Sequence, residues 1–145
     1  MADAQAAICQ TRLENVGISV EMFTTVDGAD GADALADWMD AARQDGLLDV
    51  VVLFGAFPTA ISPVGNTQPN FSTAERFIES TDGNAIINMG DWMFYCDYDA
   101  AGVRADNWGA GLQNMMDTPA ADMGGGDNPM VVTAEGAEIA PSLGD

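Results

Sequence analysis

Carboxylates dominate the chemistry open to this chain, which carries 23 Asp and Glu against four Arg, with no Lys and no His. Without an imidazole, most nucleophile–base pairs and acid–base couples that work near neutrality are ruled out. The two thiols, Cys9 and Cys96, are too few for a zinc site built on cysteine and histidine or for a disulfide framework. A thiol with no base or cation near it in sequence reads as a small apolar residue rather than a nucleophile. No catalytic residue is therefore assigned with force, and the sequence points away from an enzyme.

Asp91 falls where a strand is expected to end, so it is the catalytic candidate, as a general acid or a ligand. With no second convergent group, a side chain that caps the following turn is the favoured reading. Asp97 and Asp99 are the candidate metal ligands. Counted from Asp97, the first, third and sixth positions of a calcium loop match, at Asp97, Asp99 and Gly102. The fifth and twelfth, Ala101 and Trp108, do not, which favours a solvated acidic loop over 97–106. Asn66, Asp91, Trp92 and Tyr95 are the candidate contacts for a small ligand. The aromatic group of Trp92, Phe94, Tyr95, Tyr98 and Trp108 suits a flat sugar or aromatic molecule, although in so short a chain it suits a core as well. Glu75 and Glu79, four apart, read as a solvated helix face. Gly124-Gly125-Gly126 lacks the strand, helix and lysine of a phosphate loop. No cofactor is expected.

The elements that must position these residues follow from periodicity and punctuation. Ala6, Cys9, Leu13 and Val16 predict a helix over 3–16 that Gly17 ends. Residues 18–23 read as a strand and 27–33 as a polar loop. A helix over 32–44 presents Leu35, Trp38, Met39 and Ala42 on one apolar face, and Gly46 closes it. The β-branched run Asp49 to Gly55 predicts a strand buried on both faces of a parallel sheet. A long loop spans 56–71, with Pro58, Pro63 and Pro69. Ser72-Thr73-Ala74-Glu75 is a capping-box pattern, opening a helix that turns Ala74, Phe77 and Ile78 inward. Asp82-Gly83 ends that helix before a second buried strand over 84–90. A short helix is expected around Trp108 to Met116 and a short strand over Met130 to Thr133. The whole, 1–145, reads as one α/β domain.

A buried strand ending Phe54-Gly55, a Pro-rich loop, the helix Ala74-Glu75-Arg76-Phe77-Ile78, the turn Asp82-Gly83-Asn84 and the strand Ala85 to Met89 carry a resemblance. Over Asp49 to Gly90, and more weakly over 3–133, the chain resembles a class I glutamine amidotransferase-like domain of the ThuA-like branch. The resemblance implies a small three-layer, flavodoxin-like domain with a mostly parallel sheet. Active relatives carry a nucleophilic cysteine in the turn after the strand that matches 85–89, and a later histidine. Here that turn reads Gly90-Asp91-Trp92-Met93, and Cys96 lies too far along to sit in it. The resemblance thus implies the scaffold without its chemistry. Relative to such a domain the chain lacks a leading strand and a C-terminal part, as an excerpt of a larger fold would.

The formal charge of −19 repels nucleic acid and anionic membrane surfaces. No apolar run reaches the roughly 18 residues of a membrane span, and no leader is legible at Met1 to Gln5, so a cytoplasmic setting is expected. Three tryptophans and 48% hydrophobic residues argue for a folded core under an acidic, salt-adapted surface. The expected function is a non-catalytic amidotransferase-like module that binds a partner or small ligand. The alternatives are a carboxylate-dependent hydrolase of a small, sugar-related substrate centred on Asp91, and a calcium-stabilised structural module. If 18–23 and 49–54 are strands, their shared neighbour in a flavodoxin-like sheet is missing, which makes a homodimer the expected assembly.

Overall fold

A computed structural model of the chain describes residues 2–24, 29–55, 57–63, 72–89, 94, 96–98, 103–106, 109–118 and 133–134. It is a mixed α/β structure, in the order α1 (Ala2–Asn15), α2 (Ala29–Ala42), β1 (Val50–Leu53), β2 (Phe57–Pro58), α3 (Thr73–Ile78), β3 (Ala85–Asn88), β4 (Cys96–Tyr98), β5 (Arg104–Asp106) and α4 (Gly109–Met115). The strands form two small sheets, β1 beside β3 and β2-β4-β5.

The helices begin and end for local reasons. α1 stops in a Schellman turn: Ile18 N donates to Leu13 O, Gly17 N donates to Glu14 O, and Gly17 sits at φ +88°. Only glycine adopts that conformation without strain. α3 opens on a full capping box, in which Ser72 Oγ accepts from Glu75 N while the Glu75 carboxylate accepts from Ser72 N. Ala74 N adds a bond to Ile61 O at 2.9 Å, which fixes the incoming loop against the helix start.

α2 and α3 pack together over one side of the β1/β3 sheet. Leu35, Met39 and Ala42 from α2, Ala74 and Phe77 from α3, and Val51 and Leu53 from β1 make the core, closed by Ile61, Phe94 and Met115. The expected inward faces of both helices are therefore the observed ones. Trp38 bridges them, with ring centres 6.1 Å from Phe77 and 6.0 Å from Phe23. Asp40 on α2 pins the pair electrostatically. It accepts from Arg43 Nε at 2.9 Å and from Arg76 Nη2 of α3 at 3.2 Å.

Five expectations are corrected. Residues 18–23 form no strand and join no ladder, and Phe23 packs on Trp38. The polar loop over 27–33 is helical from Ala29 onward. Strands 49–54 and 84–90 are not buried on both faces, because both covering helices lie on the same side. The long loop contains β2, which pairs in parallel with β4. The acidic stretch 97–106 is not a loop throughout, since β4 and β5 pair antiparallel with Cys96 opposite Asp106. A ladder satisfies backbone groups that a solvated loop would leave to water, and composition does not reveal such pairing. The strand expected at Met130 to Thr133 lies, except for Thr133, outside the described residues.

Candidate functional site

The parallel pairing of β1 with β3 creates a surface with two unlike sides. Val50 pairs with Ala85, Val51 with Ile86, Val52 with Ile87 and Leu53 with Asn88. Bonds from Ala85 N to Asp49 O and from Met89 N to Leu53 O extend the ladder at each end. Paired residues of a parallel ladder share a face, and alternate residues change face. Val51, Leu53, Ile86 and Asn88 thus face α2 and α3, with Val51 and Leu53 only 6% and 8% exposed. The opposite face carries Val50 and Ile87 at 43% and 48%, extended by Leu48 at 68% and Met89 at 63%. These side chains offer dispersion contact and desolvation to a partner, and no acid–base chemistry.

The edge of this face at the start of the strands is acidic. Asp45 and Asp82 stand in the turns that lead into β1 and β3, and Asp49 begins the β1 ladder. Asp45 Oδ1 accepts from Leu47 N at 2.8 Å, Asp82 Oδ2 accepts from Gly46 N at 3.3 Å, and Asn84 Oδ1 accepts from Asp49 N at 2.8 Å. Burial, and then the Asp45 and Asp82 charges, raise the Asp49 carboxyl above its ordinary pKa. Asp49 Oδ2 and Asn84 Nδ2 are buried without a hydrogen-bond partner. Among the described residues, no group of His, Cys, Asp or Glu is arranged to hold a metal ion.

A second polar cluster sits where α4 meets α3. Glu75 is fully buried, held in the capping box with Ser72, whose Oγ lies 3.4 Å from Met115 Sδ. This corrects the solvated face expected for Glu75 and Glu79, because only Glu79 of the two reaches water. Burial, the Asp117 and Glu75 charges and a hydrogen bond with Asp117 raise the Glu79 carboxyl. Glu75 and Ser72 together build the helix start, so these groups are occupied structurally.

Of the residues singled out in the sequence, Asn66, Asp91, Trp92, Tyr95 and Asp99 lie outside the described residues. Asp97 lies within β4, its backbone paired with Ala105. Phe94 of the aromatic group is buried in the core. The bare side of the sheet was not singled out, because a β-branched run reads the same whether one face or both are covered. The exposed Leu47-Leu48 pair ahead of it is the one signal in the sequence that could have marked it.

No protein family, curated protein or solved structure compared with this chain matches it.

Proposed function

We propose that this chain is a non-catalytic binding module whose working surface is the bare apolar face of the β1/β3 sheet. The observation that carries the reading is the contrast between buried Val51 and Leu53 and exposed Val50 and Ile87 on neighbouring positions of one sheet. Parallel sheets occur almost only with both faces covered, so a one-sided parallel pair is an incomplete layer. The largest exposed apolar patch of a monomeric protein is often its functional surface. The lack of any histidine or lysine favours binding over catalysis.

The scaffold is proposed to be amidotransferase-like, in the ThuA-like branch, with a flavodoxin-like three-layer plan. The parallel unit β1–α3–β3 supports this, with its capped helix between strands where the resemblance implies them. The acidic surface supports a salt-adapted protein that works away from nucleic acid.

An uncharged solvatochromic apolar dye such as Nile red tests the reading. In dilute buffer, where charge keeps copies apart, the folded chain should bind it with enhanced emission. Val50→Glu and Ile87→Glu should each abolish most of that signal while the thermal transition persists. Absence of dye binding to the folded chain, or binding indifferent to both substitutions, overturns the proposal.

A further inference from the structure

We infer that Glu79 and Asp117 form a proton-operated clasp between the ends of α3 and α4, shut in mild acid and released at neutrality. The clasp is independent of the bare sheet face and acts on a different part of the core.

Local structure brings the two carboxyls together. Glu79 is the C-cap of α3, and its N–H donates to Glu75 O. α4 ends in a Schellman turn, in which Thr118 N donates to Gln113 O and Asp117 N donates to Asn114 O. Asp117 is the left-handed residue of that turn, at φ +48°. Glycine is usual there, and Asp is one of the few other residues that adopt the conformation. The choice of Asp places a carboxyl within hydrogen-bonding reach of Glu79. Two carboxylates cannot bond to each other, because neither carries a hydrogen. One proton turns the contact into a donor–acceptor pair.

The surroundings disfavour two anions at this contact. Both groups sit at helix C-termini, whose unpaired carbonyls repel negative charge. Among the described residues, the charges that bear on Glu79 are Asp117, from the turn after α4, and Glu75, from its own helix. Arg76, one turn earlier on α3, reaches to Asp40 and Thr73. Burial, then the Asp117 and Glu75 charges and the bond with Asp117, raise the Glu79 carboxyl. The proton belongs to the pair and is held below the raised value. As pH rises through that value the proton leaves, and attraction becomes repulsion. Both side chains reach water, so salt screens the repulsion.

What the clasp controls is the seat of α4. Met115, 2% exposed, and Leu112 pack that helix on the core, and Met115 Sδ accepts from Ser72 Oγ at the start of α3. With the clasp shut, α4 is held both at Met115 and at Asp117. With it released, the apolar seat is opposed by like-charge repulsion. α4 then opens locally more often, which uncovers Met115 and the Ser72–Glu75 box beneath it.

Amide hydrogen exchange of the full chain, followed by NMR, tests this. Rates are converted to protection factors, which removes the intrinsic pH dependence of exchange. The reporters are the N–H groups of Met116 and Thr118, bonded to Leu112 O and Gln113 O, and the control is Met89 N–H, bonded to Leu53 O. In dilute buffer, Met116 and Thr118 should lose severalfold more protection than Met89 between mild acid and neutrality, and molar salt should shrink that loss. Glu79→Gln gives Asp117 a permanent N–H donor and should hold α4 at its acid-state protection in both conditions. Asp117→Asn does the same towards Glu79 and tolerates the left-handed backbone. Protection of Met89 reports that each variant is folded. Equal losses at α4 and at Met89 would mean that opening is global and would overturn the clasp. A pH dependence undiminished in both variants, or α4 protection indifferent to pH in the unaltered chain, would overturn it too.

Discussion

Replacing Ser72 with alanine removes one oxygen from an enclosed polar position, 1% exposed. Ser72 and Glu75 are both buried, and Ser72 Oγ accepts from Glu75 N at 3.1 Å while lying 3.2 Å from Glu75 Oε2. The substitution therefore removes a helix N-cap, worth about 1 kcal/mol, and strands a buried amide, which costs about 1–3 kcal/mol. The two effects overlap, because the lost cap bond and the stranded amide are the same contact. A net loss of about 2 kcal/mol is expected, or about 6 °C in Tm for a chain of this length. Ser72→Thr keeps a hydroxyl in place and should lose less than half as much. Melting followed by far-ultraviolet circular dichroism at fixed molar salt provides the measurement. A Ser72→Ala loss below about 0.5 kcal/mol, the level of an ordinary surface change, would refute the structural role given to the capping box.

Three further outcomes are expected. Tm should climb steadily as sodium chloride is raised from millimolar to molar, since screening relieves repulsion among 23 carboxylates faced by four arginines; a flat or falling trend would contradict the salt-adapted reading. Asp49 and Glu79 hold protons to higher pH when folded than when unfolded. Their contribution is therefore most favourable below the ordinary carboxyl pKa and is lost as pH rises through the raised values. Stability should be greater in mild acid than at neutrality, and Asp49→Asn should shrink that difference; an undiminished difference would remove Asp49 from the account. Asp40→Ala should cost about 1 kcal/mol by releasing Arg43 and Arg76 from their shared carboxylate, with a smaller loss in molar salt than in dilute buffer; equal losses at both would show that packing rather than charge holds α2 to α3.

The parts of the fold legible in the sequence are those with local causes. Gly17 at positive φ, the Ser72–Glu75 box and the apolar spacing of Leu35, Met39 and Ala42 each declare themselves within a single turn, and each stands where expected. The parallel pairing expected of the runs 49–55 and 84–90 is observed, but most of what depends on a distant partner was not legible. Residues 18–23 have strand-like composition, but a strand exists only with a neighbour, and Phe23 is drawn to Trp38 instead. β4 and β5 look like acidic loop because hairpin pairing is a property of two segments. The candidate surface was missed for the same reason. Val50 and Val51 are chemically identical and adjacent, and only the placement of α2 and α3 on one side makes one exposed and the other buried. The buried carboxylate of Glu75 escaped because a charged residue on a short helix is ordinarily solvated, and here the capping box turns it inward.

Thiol accessibility along the sheet tests the central claim most directly. In a background with Cys9 and Cys96 replaced by serine, single cysteines are introduced at Val50, Val51, Leu53 and Ile87, and their reaction with an aromatic disulfide reagent is timed in dilute buffer, where charge keeps copies apart. The account predicts fast reaction at Val50→Cys and Ile87→Cys, with Val51→Cys and Leu53→Cys protected until the chain unfolds. Equal protection at all four positions would mean that both faces of the sheet are covered, and would contradict the one-sided sheet on which the binding surface rests.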